Sequence, residues 1–361
     1  MAEHRIAFIG AGGIANAHAY ALSALPFYYE DAPKFVLAAV SSVRSESREN
    51  FVDRFGFAEA LSTDELWVRD DIDTVYLLGP NEVHFSHLKS ALDMSGVLRV
   101  YVEKPLCVTE EEESDIRKLD ESLPASKTVQ AGYQYLQMSA IRRALKLWAT
   151  GELGEPIHFH LRYLHSGYLD REYRDKRRTR LKPTPEGGAL PDLGSHALSL
   201  LSAFLGQGLE VLEARQSGFY EDVPPDSDLC CTVLLEEKNS GAVGSMVASR
   251  VSAGTGDLLE LEIRAKAGAI KFSTDQPDIL EVYHHDRGEW TSHFCGSDYM
   301  PLTKFPSDYL PAGWLRSMVH AHYLFHGGRD DEAVIPDLAH ALDTQRLIRT
   351  SAKKMAASRS N

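Results

Sequence analysis

The run HRIAFIG stops at Gly10 and passes directly into AGGIANAHAYALSAL, where Ile14, Ala17, Ala21, Leu22 and Leu25 recur at helical spacing. A short apolar strand, a glycine turn and a helix make one unit, and no other feature restricts the fold of this chain as tightly. The unit repeats. FVLAAV precedes ESRENFVDRFG, IDTVYLLG precedes NEVHFSHLKSALDMSG, and VLRVYVEKP precedes TEEEESDIRKLDESL, before KTVQAGYQY leads into MSAIRRALKLWATGELG. Strands alternating with helices in this way predict an α/β Rossmann domain, a doubly wound parallel sheet with helices on both faces.

Gly10, Gly12 and Ala15 fit G-x-G-x-x-A at the first strand-to-helix turn. Glycines there permit a tight turn and close backbone approach, and the helix N-terminus offers N–H groups and a positive dipole to a pyrophosphate. The context of strand before and helix after is what gives the motif weight. At the end of the second strand, where NAD enzymes usually carry an acid, stand Ser41, Ser42, Val43 and Arg44, with Glu46 the nearest carboxylate. Ser42 and Arg44 suit the 2′-phosphate of NADP, which makes NADP the expected cofactor and NAD the alternative. A solvated loop charge is the competing account of Arg44.

From about Glu155 the alternation ends. PIHFHLRYLH, LEVLEARQSGFY, DLCCTVLLEE, GAVGSMVASRVS, LLELEIRAKAGAIKFS and ILEVYHH read as successive antiparallel strands set apart by glycine, proline and acidic residues. They predict an α+β domain with a large open, mainly antiparallel sheet and one clear internal helix after Gly194. At 361 residues the chain exceeds what one core supports. The expected division is 1–132 for dinucleotide binding and 133–361 for substrate binding and oligomerisation, with LAHALDTQRLIRTSAKKM packing back as a closing helix.

The formal charge of −14 argues against a nucleic-acid partner. No apolar run nears the roughly 18 residues that span a bilayer, so no membrane role is expected. Cys107, Cys230, Cys231 and Cys295 form neither a zinc-like spacing nor a disulfide framework, which points to free thiols in the cytoplasm. His158 and His160 share a strand face but lack a third ligand of sensible spacing, and His320, His322 and His326 sit in a helical stretch; no metal is expected.

The stretch EGGALPDLGSHALSLL sets Asp192 four residues before His196, on one face of a helix. A carboxylate beside an imidazole is an acid–base pair, and it is also what a satisfied core histidine looks like. GAGGIA (10–15), PNEVH (80–84), VEKPL (102–106), GELGEPIHF (151–159) and GGALPDLGSHAL (187–198) in this order resemble the Gfo/Idh/MocA oxidoreductases over nearly the whole chain. The resemblance implies a hydroxyl–ketone interconversion on a sugar, sugar derivative or cyclic polyol, with hydride passing to or from the nicotinamide. By the same resemblance Gly13, Ile14, Pro80, Asn81, His84 and Glu103 line the cofactor crevice, Lys104 sits by the nicotinamide, and Pro105 follows a cis bond. Asp192 and His196 then face Lys104 across the cleft. Glu186 and Pro191 depart from the usual glycine-rich lead into this motif.

Oxidising a secondary alcohol requires a base for the hydroxyl proton and a cation for the developing alkoxide. His196 is the favoured base, Lys104 the stabilising cation and Asp192 the orienting carboxylate; the inverse, with Lys104 as base, stays open. The basic run REYRDKRRTRLK (171–182) reads as a solvated loop or as an anion-holding loop near the cleft. Tyr133, Gln134, Arg162, Tyr168 and Arg180 are the substrate candidates, Tyr133 with a packed-aromatic alternative. A homo-oligomer, dimer or tetramer, is expected. The rival functions are an NAD-dependent glycoside hydrolase of the same fold and a non-catalytic sugar or cofactor sensor.

Overall fold

The computed structural model describes residues 3–224, 226–296 and 313–359. Its first sheet comprises β1 (His4–Ile9), β2 (Phe35–Ser41), β3 (Glu59–Leu61), β4 (Thr74–Leu77), β5 (Arg99–Val102) and β6 (Thr128–Ala131). The order is β3-β2-β1-β4-β5-β6 and every pairing is parallel. Connections leave β1 on one side and return beyond it to β4, so a crevice opens at the carboxyl ends of these two strands. The linking helices are α1 (Gly13–Tyr28), α2 (Ser45–Phe55), α3 (Thr63–Trp67), α4 (His84–Asp93) and α5 (Glu110–Ser122).

The caps of these helices differ in a way that matters. Ser62 with Glu65 and Thr109 with Glu112 form reciprocal capping boxes on α3 and α5. Helix α1 starts after Gly12 with no side-chain cap and no acid in its first turn, leaving its N–H groups to an external anion.

The second sheet follows α6 (Ser139–Ala149). It contains β7 (Pro156–Leu164), β8 (Leu209–Ser217), β9 (Cys230–Glu237), β10 (Ala242–Ser249), β11 (Leu258–Ala265), β12 (Gly268–Ser273), β13 (Ile279–His284) and β14 (Glu289–Phe294). The order is β14-β13-β12-β11-β7-β10-β9-β8. Pairing is antiparallel except between β7 and β10, which run parallel, so the sheet is mainly antiparallel, as expected. LLELEIRAKAGAIKFS is two strands, β11 and β12, and β3 and β14 are additional.

Phe159, Leu161 and Tyr163 of β7 face inward with Met246 and Ala248 of β10, and α8 (Ser195–Leu205) packs on them through Ala197, Leu198, Leu200 and Leu201. The opposite sheet face exposes His160, Arg162, Leu234 and Val243. The basic run contains α7 (Arg171–Lys176), a short helix capped by Asp170, where a loop was expected.

Two helices return after the second sheet. Helix α10 (Leu338–Arg359) is the expected closing helix; its Arg349 pairs with Glu113 of α5, and just before it the Pro336 carbonyl accepts the Ala131 N–H of β6. Helix α9 (Gly313–Phe325) covers the first sheet beside α1. Met318, Val319, Tyr323, Leu324 and Phe325 pack with Ile6, Phe8, Ala19, Leu22 and Leu25.

Candidate active site

The cradle after β1 fits a dinucleotide. Gly10 has φ +117°, and a Cβ there would lie 2.5 Å from the Leu78 carbonyl oxygen, so only glycine allows β1 and β4 to approach this closely. Gly12 and Gly13 face open space, with nothing within 4 Å of where a Cβ would be. Ala15 is fully buried against the sheet, while Ile14 remains half-exposed at the rim. Ser42 and Arg44 lie at the end of β2, and Arg48 holds the turn by donating to the Ser42 carbonyl (2.9 Å). Pro80 and Asn81 form the turn after β4, and Asn81 Nδ2 donates to the Glu186 carbonyl across the cleft (3.2 Å). Lys182 pairs with Glu82 along the same seam.

His84 bridges the two loops that flank the cleft. It is buried, with its ring nitrogens 2.7 Å from the Pro105 carbonyl and 3.0 Å from that of Gly79, so it ties the two cleft loops together. Glu103 likewise points inward, with Oε1 2.9 Å from His18 Nε2. His18 in turn meets His322 of α9 (2.9 Å), whose other nitrogen lies 2.8 Å from the Tyr76 hydroxyl; that hydroxyl lies 3.1 Å from His326 Nε2. This buried chain, unforeseen in the sequence, joins α1, α9, β4 and the end of β5. No group of three metal-ligating side chains forms among the described residues.

Lys104, Asp192 and His196 do come together. The Lys104–Pro105 peptide is cis, as the resemblance implied. Lys104 Nζ donates to the Asp192 carbonyl (2.6 Å) and to its Oδ1 (3.1 Å). Arg180 also donates to Oδ1 (3.1 Å), and Arg250 donates to Oδ2 (2.7 Å). Burial raises the Asp192 pKa, but Lys104, Arg250 and Arg180 together hold it well below the usual carboxylate range. Residues Leu190–Gly194 form a wide π-type turn ahead of α8 instead of a regular helical turn. No hydrogen bond joins Asp192 to His196, which corrects the expectation that Asp192 orients the imidazole.

His196 is buried in an aromatic box. The rings of Tyr135, Tyr133 and Tyr163 lie 5.0, 6.0 and 6.1 Å from it, and the Tyr135 and Tyr163 hydroxyls are 2.8 Å apart. Its Nδ1 is buried without a partner. Burial, then the charge of Lys104, push its pKa well below 6.5 against the opposing pull of Asp192, so the imidazole is neutral at pH 7.

The substrate candidates divide. Arg180 stands half-exposed at the cleft mouth. Tyr168 is buried beneath Arg250, whose guanidinium carbon lies 4.7 Å above its ring. Tyr133 packs behind His196, the packed-aromatic alternative, and Gln134 is buried next to it. Arg162 lies on the other side of the sheet, paired with Glu260 at 2.5 Å, because period-two alternation puts it opposite Leu161 and Tyr163. Arg250 was missed; the only sequence signal is a lone cation closing the small apolar strand GSMVAS.

Asp228 secures the loop ahead of Asp192. Thr184 donates to its Oδ1 (2.6 Å) and the Leu190 N–H to its Oδ2 (2.7 Å), while Gly188, at φ +98°, leaves the room its carboxyl needs. Burial pushes its pKa up to about 6, against these bonds and Arg250, from an ordinary 3.8. The folded carboxyl holds its proton more tightly than the unfolded one, so stability falls as pH rises from about 4 to 6. Above that it stays lower by about 3 kcal/mol. Asn at this position can keep both hydrogen bonds without the charge. Asp228→Asn is therefore expected to raise Tm at pH 8 and not at pH 4, a contrast that thermal melts at the two pH values read directly.

Together the fold and the site define a nicotinamide-dependent oxidoreductase acting on CH–OH groups. Residues 4–133 match the oxidoreductase family with an NAD-binding Rossmann fold, and residues 141–271 match the GFO/IDH/MocA C-terminal domain. The chain belongs to the GFO/IDH/MocA family. Levoglucosan dehydrogenase of Pseudarthrobacter phenanthrenivorans is 25% identical over 304 residues, covering 78% of this chain and 76% of that one. Glucose-6-phosphate 3-dehydrogenase of Bacillus subtilis is 29% identical over 286 residues, covering 77% of each. A solved levoglucosan dehydrogenase in complex with NADH and levoglucosan shares the fold, with TM-score 0.86 and 22% identity over 99% of this chain and 98% of that one. These relatives do not favour the hydrolase or sensor readings.

Proposed function

We propose that the protein oxidises a secondary ring hydroxyl of a sugar or cyclic polyol to a ketone, with NADP as the preferred cofactor and His196 as the base. The observation that carries this is a neutral imidazole with an unpartnered, buried Nδ1, next to a lysine already fixed by a carboxylate. The dehydrogenase names of the relatives support the sugar class. The nicotinamide, when bound, accepts the hydride from the carbinol carbon. Lys104 holds a positive charge where the hydroxyl oxygen gains negative charge. His196 takes the hydroxyl proton, and its aromatic walls exclude water. Asp192 keeps Lys104 in place, and Arg180 at the mouth is the side chain best placed to meet further hydroxyls.

The test is steady-state reduction of NADP⁺ and NAD⁺ by the purified chain against a panel of sugars, sugar phosphates and inositols. Turnover on a ring alcohol supports the assignment; a chain that reduces neither nucleotide on any of them refutes it. The NADP preference rests on Ser42 and Arg44. Arg44→Ala is expected to raise KM for NADP⁺ about tenfold, the worth of one charge-assisted hydrogen bond, and to leave KM for NAD⁺ unchanged. Equal effects on both would mean a solvated arginine.

The four free thiols support a cytoplasmic location, and no helix among the described residues is long and apolar enough to cross a membrane. The exposed face of the second sheet, with Leu234, Val243 and Trp290, supports a homo-oligomer, which sedimentation equilibrium will report.

A further inference from the structure

We infer that Arg250 is a positioning residue for the proposed reaction: by holding Oδ2 of Asp192 it turns that carboxylate onto Lys104 and away from His196. This rests on the functional assignment above and names a residue that the catalytic motif does not contain.

Arg250 follows directly after β10 and is 2% exposed. One guanidinium nitrogen donates to Asp192 Oδ2 (2.7 Å), another to the Arg180 carbonyl (2.7 Å), and its plane lies over Tyr168. The same side chain therefore sets the carboxylate and anchors the backbone from which Arg180 reaches Oδ1. Its Nε is buried without a partner. A buried cation with an unmatched donor is a poor way to gain stability, since an apolar side chain of similar volume avoids the desolvation cost. What the arrangement does provide is a fixed direction for Asp192. With Oδ2 taken by Arg250, and Oδ1 shared by Lys104 and Arg180, no carboxylate oxygen is committed to the imidazole.

The groups facing His196 are few. Lys104 comes from the loop after β5, Asp192 from the wide turn, Tyr133 and Tyr135 from the segment after β6, and Tyr163 from β7, with His340 of α10 behind Tyr133. Asp192 is the only anion among them. Released from Arg250, it can turn toward the ring four residues along and stabilise the imidazolium. The histidine would then hold a proton at the pH where it has to accept one.

Imidazole ¹⁵N NMR of the full chain tests this without requiring turnover, with His196 assigned by the loss of its signals in His196→Asn. In the unsubstituted chain His196 is expected to stay neutral down to the lowest pH at which the fold holds. In Arg250→Met it is expected to protonate about one pH unit or more higher, the effect of a carboxylate gained as neighbour. Arg250→Lys, which keeps the charge on Asp192, is expected to restore the original behaviour. In turnover, Arg250→Met gains an acid limb, with kcat falling about tenfold per pH unit below the new midpoint. Should Arg250→Met not fold, Arg250→Gln takes its place, because it removes the charge and keeps a donor for the Arg180 carbonyl. Identical His196 titration with and without the guanidinium overturns the inference, as does a lysine variant that titrates like the methionine one. A failure of the sugar panel alone would instead count against the functional assignment.

Discussion

Replacing His196 with alanine is expected to lower kcat by about 10²–10⁴, the usual worth of a positioned general base, with KM for the nucleotide nearly unchanged. The side chain is 6% exposed and enclosed by tyrosines, so the loss belongs to the proton-transfer step and not to nucleotide binding. Its pKa lies well below 6.5, pushed there first by burial and then by Lys104, so the imidazole is unprotonated throughout the neutral range. The rate of the unsubstituted enzyme is therefore expected to show no acid limb between pH 6 and 8. Single-turnover kinetics in stopped flow would separate this from product release. A rate that keeps climbing with pH above 8, with His196→Ala close to normal, would transfer the role of base to Lys104.

The second large effect concerns acid. The protein is expected to unfold cooperatively between about pH 5 and 4, earlier than carboxylate titration alone would bring about. Burial lowers His320 to about 4 and His326 to about 3, and holds His322 well below its ordinary value. Each of these imidazoles binds its proton more tightly when unfolded, near pKa 6.5. Their contribution is thus complete above pH 6.5 and is lost as pH falls toward the folded values. Three such groups give a slope of about 4 kcal/mol per pH unit, against a total stability of order 5–15 kcal/mol. Asp228 offsets part of this between pH 6 and 4. His326→Phe keeps the ring stacking with Phe35 and the edge contact with Phe325 and removes one proton from the balance. Chemical denaturation at a series of pH values should show its slope shallower by about 1.4 kcal/mol per unit; an unchanged slope would mean that His326 already has access to water.

Much of the site was legible because its motifs are local. The glycine turn, the Glu103–Lys104–Pro105 run and the Asp192–His196 spacing each lie within one strand end or one helical turn, where short-range rules apply. Arg250 lies 58 residues beyond Asp192 in sequence, and nothing local announces that the end of β10 reaches the turn before α8. Arg162 belongs to the outer face, as the alternation of buried Phe159, Leu161 and Tyr163 requires whatever its charge suggests. The direction of Asp192 could not be read from an i, i+4 spacing, because the wide turn and three competing cations decide it. The parallel β7–β10 pairing escaped for a related reason, since strand order is set by sheet packing and not by the strands' own composition.

Helix α9 has a consequence for how the molecule is made. During synthesis β1, α1 and β4 leave the ribosome early, yet the side of α1 that packs on α9, and the His18 ring nitrogen that meets His322, have no cover until the chain has passed Phe325. At 5–20 residues per second that interval is roughly 15–60 s. The nascent first half is therefore a natural client for chaperones, and a fragment ending at the close of the dinucleotide-binding sheet would carry an open apolar surface in place of a finished domain. Ribosome-stalled chains of increasing length should resist protease over their first 130 or so residues only once α9 has emerged.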